Sequence, residues 1–157
     1  MKPKLYMETS VISYLTARPS RDLVMAAHQQ TTREWWEARR LRFEIFISRG
    51  VWDEASHEDA EQVRRRLKIL RPLRRLQVRK DVVNLAKALV KTGPLPEKAA
   101  DDAFHIALAA VHGMHFLLTW NCAHINNAST ENDVRGVCAR SGHPCPVICT
   151  PEQLLEA

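Results

Sequence analysis

Four side chains that carry oxygen ligands lie at the ends of predicted strands and helices, namely Glu8, Glu54, Asp102 and Asn121. Carboxylate oxygens bind hard cations such as Mg²⁺ and Mn²⁺, and clustered carboxylates repel one another unless a cation neutralises them. A water on such a cation can become the nucleophile in phosphodiester hydrolysis. If the fold brings these residues together, they predict a metal-dependent hydrolytic site.

Glu8 ends the first predicted strand, which covers residues 4–8, and Thr9 and Ser10 follow it directly. A parallel strand would deliver this carboxylate to the carboxyl edge of its sheet, where α/β proteins bind their ligands. Taken alone, Glu8 can equally be an ordinary exposed glutamate in a surface loop. Its interpretation as a site residue therefore depends on the other acids.

Two further acids lie on predicted helices. Glu54 follows Val51 by one helical turn, so it shares that apolar side instead of pointing straight to water. Asp102 shares a helical stripe with His105 in "AADDAFHIALAA", whereas Asp101 lies on the adjoining stripe. A carboxylate on an inward face needs a partner or a cation. The alternative for either aspartate alone is stabilisation of the helix N-terminus through the macrodipole.

Strand-like and helix-like segments alternate along the chain, which is typical of βαβ units around a parallel sheet. The predicted strands cover residues 4–8, 42–48, 75–78, 115–119 and 146–150. The predicted helices cover residues 22–40, 49–55, 58–70, 81–92, 99–113, 122–141 and 151–156, with a helical turn from Thr9 and N-caps at Asp22, Ser48 and Thr150. The fold class is therefore α/β, and residues 1–157 are interpreted as one domain, because no repeat or low-complexity linker divides them.

The carboxyl ends of parallel strands lie at the same edge of a sheet, so we expect the candidate residues to lie close together there. Asn121 follows the fourth strand in "HFLLTWN", so we expect it beside Glu8 at the carboxyl edge. Glu54 and Asp102 occupy helix ends that the same sheet would bring to this edge. The constellation favours a shared site over four unrelated surface residues.

The net charge of +5 depends on one segment of the chain. Residues 64–80 contain nine basic residues and no acidic one, which leaves 14 basic and 18 acidic residues elsewhere. A local basic patch suits a polyanion such as RNA, because phosphate contacts release bound counterions. The predicted nucleic-acid contacts are Arg64, Arg65, Arg66 and Lys68. The alternative is a solvated helix face that has no ligand.

Several classes of protein are excluded by the composition. No apolar stretch is long enough to span a bilayer, and the start "MKPKLYMETS" lacks the apolar segment of a signal peptide. We therefore expect a cytoplasmic protein with no membrane partner. The four cysteines form no CxxC pair, which argues against a zinc knuckle, and no HExxH motif is present.

Four segments resemble motifs of PIN-domain proteins, in the order in which that family has them. They are "YMETSVISYL", "ISRGVWDEA", "DDAFHIALAAVHG" and "LLTWNCAHINN". Within the family, the chain looks most like the VapC-type toxins of bacterial and archaeal toxin–antitoxin systems. The resemblance covers nearly the whole chain and implies a three-layer α/β/α PIN-like domain with a five-stranded, mainly parallel sheet.

The resemblance also implies a role for each candidate residue. Glu8, Glu54 and Asp102 would hold Mg²⁺ or Mn²⁺, with Glu8 at the position where the family usually has aspartate. Ser10 would hold a carboxylate or a metal-bound water. Asn121 stands where many members have a fourth acid, and its amide oxygen can still ligate or accept a hydrogen bond. Three carboxylates imply one well-held metal and a second that is weak or arrives with the substrate phosphate.

The expected function on this basis is metal-dependent endonucleolytic hydrolysis of RNA by a VapC-like toxin. The family implies two further partners, an antitoxin protein that occupies the groove and a second copy in a homodimer. The alternative is a catalytically weak or inactive PIN-like module that binds RNA or a protein. Glu8 and Asn121 favour this alternative, because Glu8 replaces the family's usual aspartate and Asn121 replaces the fourth acid that many members have.

Overall fold

The chain alternates strands and helices, and this computed structural model describes residues 1–156. The strands are β1 (Lys4–Met7), β2 (Glu44–Ser48), β3 (Arg74–Leu76), β4 (Phe116–Leu118) and β5 (Val147–Cys149). The helices are α1 (Thr9–Thr16), α2 (Leu23–Arg39), α3 (Arg49–Ala55), α4 (Ala60–Leu70), α5 (Lys80–Lys91), α6 (Ala100–Val111), α7 (Glu131–Arg140) and α8 (Pro151–Leu155). Short 3₁₀ helices at Arg40–Arg42 and Glu97–Ala99 precede β2 and α6.

Within the described residues, the five strands form one sheet in the order β3-β2-β1-β4-β5, and every neighbouring pair is parallel. One helix layer contains α1 to α4 and α8, and the other contains α5 to α7. The predicted three-layer α/β/α class is confirmed. The chain winds outward in opposite directions from β1 and β4, so the crevice at their carboxyl ends is where open α/β sheets bind ligands.

β1 forms the centre of the core, because it lies between β2 and β4 with helices over both faces. Leu5, Tyr6 and Met7 are fully buried. Parallel strands covered on both faces have this continuous burial. Trp35 of α2 and Ile106 of α6 are fully buried in the two helix layers. The backbone that leads to Glu8 is therefore held by the most buried strand of the sheet.

Side-chain caps define several of the helix starts, and all three predicted caps are confirmed. Asp22 and Ser48 accept hydrogen bonds from backbone N–H groups in the first turns of α2 and α3, at 2.9 and 3.2 Å. Thr150 and Gln153 form a reciprocal capping box at α8. Such caps typically contribute about 1 kcal/mol each. The Ser48 cap matters most here, since it lies at the carboxyl edge.

The prediction of a helix over residues 122–141 is wrong for the first half of that range. Residues 122–130 form successive turns, and α7 begins only at Glu131. The Asn121 side-chain oxygen accepts hydrogen bonds from the backbone N–H groups of Ala123 (3.2 Å) and His124 (3.0 Å). Asparagine competes in this way with helical hydrogen bonding, so the segment remains a loop.

The helices are short compared with a bilayer. The longest within residues 1–156, α2, has 17 residues. In that part of the chain, no helix combines the length and the apolar composition that crossing a membrane requires.

Candidate metal centre

Glu8 follows β1 and caps α1. Its Oε2 accepts a hydrogen bond from the backbone N–H of Ser10 at 3.1 Å. Its Oε1 accepts from the hydroxyls of Ser10 (2.5 Å) and Thr119 (2.6 Å). The residue is only 6% exposed, so the exposed-loop alternative for Glu8 is wrong. It is a buried carboxylate with a fixed orientation.

Ser10 and Thr119 connect Glu8 to the loop after β4. Ser10 Oγ accepts a hydrogen bond from the backbone N–H of Trp120 at 2.8 Å. Thr119 Oγ1 accepts one from the backbone N–H of Asn121 at 2.9 Å. Each hydroxyl donates to the acid and accepts from the loop, so these bonds hold the start of the loop beside Glu8.

Glu54 reaches the same edge from α3. Its Oε1 accepts a hydrogen bond from the Thr9 hydroxyl and lies 3.0 Å from His105 Nε2. The side chain of His105 is 4% exposed, whereas that of Glu54 is 36% exposed. Glu54 therefore has one side oriented by a buried partner and another side open to a ligand.

A buried chain of hydrogen bonds fixes the other side of the His105 ring. Its Nδ1 lies 2.7 Å from the Tyr6 hydroxyl, which lies 2.7 Å from Ser48 Oγ. Burial raises the pKa of Tyr6 far above its ordinary value, so this hydroxyl stays protonated. The chain links the cap of α3 through β1 to α6 and ends at Glu54. Both ring nitrogens of His105 are thus engaged.

Burial opposes the charges of Glu54 and His105, and their contact more than offsets it. Burial raises the pKa of Glu54, but the hydrogen bonds from His105 and Thr9 and the imidazolium charge bring this pKa below its ordinary value. Burial lowers the pKa of His105, but the hydrogen bond to Glu54 and the neighbouring carboxylates raise this pKa above its ordinary value. The two residues therefore form an ion pair at moderately acidic pH.

Asp102 lies in the first turn of α6 and faces the loop after β4. Its Oδ1 accepts a hydrogen bond from the Asn121 amide at 3.1 Å, and its Oδ2 lies 3.0 Å from His124 Nδ1. Its side chain is 22% exposed. Asn121 is thus a donor to this acid and an acceptor for its own loop, and it connects Asp102 to the end of β4.

Potential metal ligands within residues 1–156 converge on one group. Glu8, Glu54 and His105 each offer an atom, and these atoms lie within 4.8 Å of one another. Asp102 is not in this group, so its role as a ligand stays a prediction. Carboxylate oxygens fit Mg²⁺ or Mn²⁺, whereas imidazole suits softer metals. The donor set therefore fits a hard cation through the two glutamates, with His105 orienting Glu54.

The predicted basic contacts lie on α4 and differ in exposure. Arg64, Arg65 and Lys68 are exposed. The Arg66 side chain is only 11% exposed, and its guanidinium donates to backbone carbonyls at the end of α3 and just beyond it, at 3.4 and 3.1 Å. Arg66 therefore ties α4 to α3, and phosphate contact is a role for the other three, which stays a prediction.

Sequence reasoning assigned no role to His105, Tyr6, Thr119 and His124. The one available signal was the position of His105, a helical turn after Asp102 on the same stripe. Tyr6 lies in an apolar strand, where an aromatic residue indicates core packing. Thr119 and His124 contact the acids only because the loop folds back, and no local pattern reports this.

The comparisons with known proteins assign no family. No protein-family model matches the chain, and no curated protein matches it. The chemistry of the centre is therefore inferred from its geometry and from the motifs described above.

Proposed function

We propose that this chain is a Mg²⁺- or Mn²⁺-dependent endoribonuclease of the VapC-like PIN type that acts in the cytoplasm. The observation that supports this most is the group formed by Glu8, Glu54 and His105, with ligand atoms within 4.8 Å of one another. Carboxylates gathered at the carboxyl edge of a parallel sheet suit a hard cation. When bound, that cation supplies Lewis acidity and an activated water for attack on an RNA phosphodiester.

In this proposal, the two glutamates hold the metal and their neighbours orient them. Ser10 and Thr119 donate hydrogen bonds to Glu8, which keeps its carboxylate in place before any ligand arrives. His105 does the same for Glu54 from the buried side. Carboxylates fixed in this way lose little freedom on binding, which favours tight coordination.

Asp102 and Asn121 form the other side of the proposed centre. Asp102 would contribute a third carboxylate to the metal, and the Asn121 amide orients it through the contact at 3.1 Å. Because Asn121 brings no negative charge, a second metal is held weakly here. His124 occupies the other oxygen of Asp102.

The RNA backbone is proposed to cross the exposed face of α4. Arg65 and Lys68 line a groove with Arg33, and Leu15 contributes to its apolar part. Leu15 lies seven residues beyond Glu8, so the groove is about 10 Å from the acids at the rise of a helix. By the same resemblance, an antitoxin segment and a second copy of the chain are proposed as further partners.

A second candidate function is a PIN-like module that binds RNA or a protein without cleavage. It is favoured by the Asn121–Asp102 contact, because a neutral amide occupies one oxygen of an acid that a nuclease would use for metal. Such a module would use the basic surface for binding but would not hydrolyse RNA.

The test is cleavage of a mixed RNA pool with and without added Mg²⁺ or Mn²⁺. The wild type should cleave only with metal, and Glu8→Gln and Asp102→Asn should each lower the rate by at least about tenfold. Asp133→Asn is the matched control, because Asp133 lies in the first turn of α7, as Asp102 lies in the first turn of α6, but is not one of the acids of the centre. Cleavage unaffected by Glu8→Gln would contradict the proposal, and RNA binding without any cleavage would favour the second candidate.

A further inference from the structure

A small cavity opens beside Glu54 at the carboxyl edge of the sheet. Its volume is about 130 Å³, and it lies between the start of α3, the segment after β3 and one side of α6. Glu54 and His105 form part of its wall, so any ligand inside it adjoins the candidate metal centre. Its apolar walls are Val78, Phe104 and Leu108.

The volume of this cavity and its apolar walls suit a ligand that is one flat ring. Pockets for drug-sized ligands are about 300–1,000 Å³. A cavity of about 130 Å³ therefore accepts a single ring but not a whole nucleotide. Phe104 offers an aromatic side chain on which a base can stack. Val78 is 54% exposed although it is apolar, so the ring has an apolar contact at the cavity mouth.

Asp101 supplies a free hydrogen-bond acceptor to the cavity. It lines the wall, and within residues 1–156 its carboxylate makes no side-chain hydrogen bond or ion pair. Aspartate accepts a hydrogen bond from the N4 amino group of cytosine. Uracil has the same ring size but carries a carbonyl oxygen at that position, which a carboxylate repels. A carboxylate that faces the substituent at ring position 4 therefore favours cytosine, since uracil could offer it only the neighbouring N3–H.

We propose that this cavity is a base-specificity pocket that holds one unpaired cytosine of single-stranded RNA. Its placement beside the phosphate to be cleaved rests on the proposed nuclease function. The Watson–Crick edge of the base is accessible only when it is unpaired. Arg49 and Arg79 adjoin cavity residues in the chain, and their side chains are 84% and 53% exposed. Each forms an exposed ion pair, with Asp53 and Asp81, which a phosphate can replace at little cost. These two cations suit the flanking phosphates.

The base preference is measured by fluorescence anisotropy with labelled oligocytidine and oligouridine hexamers in EDTA, where no cleavage occurs. Wild type should bind oligocytidine about tenfold more tightly, because the pocket adds one hydrogen bond to a charged group. Asp101→Asn should bring the ratio of the two affinities close to one. Asp133→Asn removes an acid from the first turn of α7, a matched position outside the cavity, and should leave the ratio unchanged.

Gly50→Ala tests the cavity independently of charge. A Cβ at Gly50 would lie 3.5 Å from Ser48 Oγ and 3.8 Å from His105 Cε1, which is ordinary contact. The methyl group narrows the cavity, and alanine is favoured over glycine in a helix. Oligocytidine should therefore bind more weakly, while the melting temperature is unchanged or higher. Gly136→Ala in α7, outside the cavity, is the control and should leave the affinity unchanged.

Three results overturn the proposal: equal affinity for the two hexamers, no binding of either, or a cytosine preference that survives both Asp101→Asn and Gly50→Ala. The assay requires neither metal nor cleavage, so its outcome is separate from that of the nuclease experiment. A wild type that prefers cytosine through Asp101 but never cleaves RNA would contradict the proposed nuclease and support the pocket.

Discussion

His105 Nε2 lies 3.0 Å from Glu54 Oε1, although the two residues are 51 positions apart in the chain and belong to opposite helix layers. The contact crosses the carboxyl edge of the sheet and joins α6 to α3. Because burial disfavours the charge on each residue, each stays charged through the presence of the other. The stability of the metal-free protein should therefore depend on pH through this pair.

His105→Asn should destabilise the metal-free protein most between about pH 4.5 and pH 6.5. The limits of this window are the ordinary pKa values of Glu54 and His105. The pKa of Glu54 is lowered on folding, so its contribution is present above the ordinary value and is lost as pH falls through the folded pKa. The pKa of His105 is raised, so its contribution is full below the ordinary value and is lost as pH rises through the folded pKa.

Thermal unfolding in EDTA at a series of pH values checks this. The difference in Tm between wild type and His105→Asn should be largest inside the window and narrow on either side. His57→Asn, at an exposed position, should show no such profile. A difference in Tm that stays constant with pH would contradict the ion pair.

Tyr6→Phe should destabilise the protein without changing any charge at the site. The substitution removes the hydroxyl that contacts His105 and Ser48, both at 2.7 Å, and leaves two buried polar atoms with one partner fewer. The cost is about 2 kcal/mol, which is about 4–8 °C in Tm for a chain of this size. Tyr14→Phe is the control, since the Tyr14 hydroxyl makes no hydrogen bond within residues 1–156. Equal Tm values for the two variants would contradict the buried chain.

The parallel sheet was predictable because its signals are local. Apolar strands alternate with capped helices, and a cap such as Ser48 requires only a hydroxyl before a helical segment. The loop at residues 122–130 was not predictable in the same way. Its composition allows a helix, and the choice is made by the Asn121 side chain, whose position depends on Thr119 and on distant Glu8.

Only those parts of the candidate site that lie at strand ends were predictable from the sequence. Glu8 and Asn121 lie at one edge because parallel strands end there. The partner of Glu54 depends on packing between helices in different layers, and a sequence pattern does not report that packing. Arg66 shows the same limit, because a basic run does not reveal which of its members folds back onto carbonyl groups.

The exposed basic residues of α4 and the mostly buried Arg66 should respond differently to substitution. Replacing both Arg64 and Lys68 with Ser should flatten the log–log salt dependence of single-stranded RNA affinity by about 1.4, at about 0.7 for each phosphate contact. Arg66→Ser should instead lower Tm, because its guanidinium bonds backbone carbonyls in the folded protein. An unchanged salt slope in the double variant would leave α4 as a solvated face that does not contact RNA.

Asn121→Asp should destabilise the metal-free protein and make its stability depend more strongly on Mn²⁺. The amide donates to Asp102 Oδ1 at 3.1 Å, and an aspartate would place two carboxylates against each other. Loss of a hydrogen bond to a charged group costs about 2 kcal/mol, or about 4–8 °C in Tm. Because a cation bound between these acids stabilises only the native state, Mn²⁺ should raise the Tm of the variant more than that of wild type.

Asn127→Asp separates this metal effect from the simple loss of an amide donor. The Asn127 amide donates to the backbone carbonyl of Ala123 at 2.7 Å, so its substitution also removes one hydrogen bond, but the acceptor is a carbonyl and not an acid. This variant should lose stability and show the same Mn²⁺ response as wild type. If Asn121→Asp also shows the wild-type response, residue 121 lies outside the metal site. Asp102, which this residue contacts, would then lose its support as a metal ligand, and the binding module would become the better account of this surface.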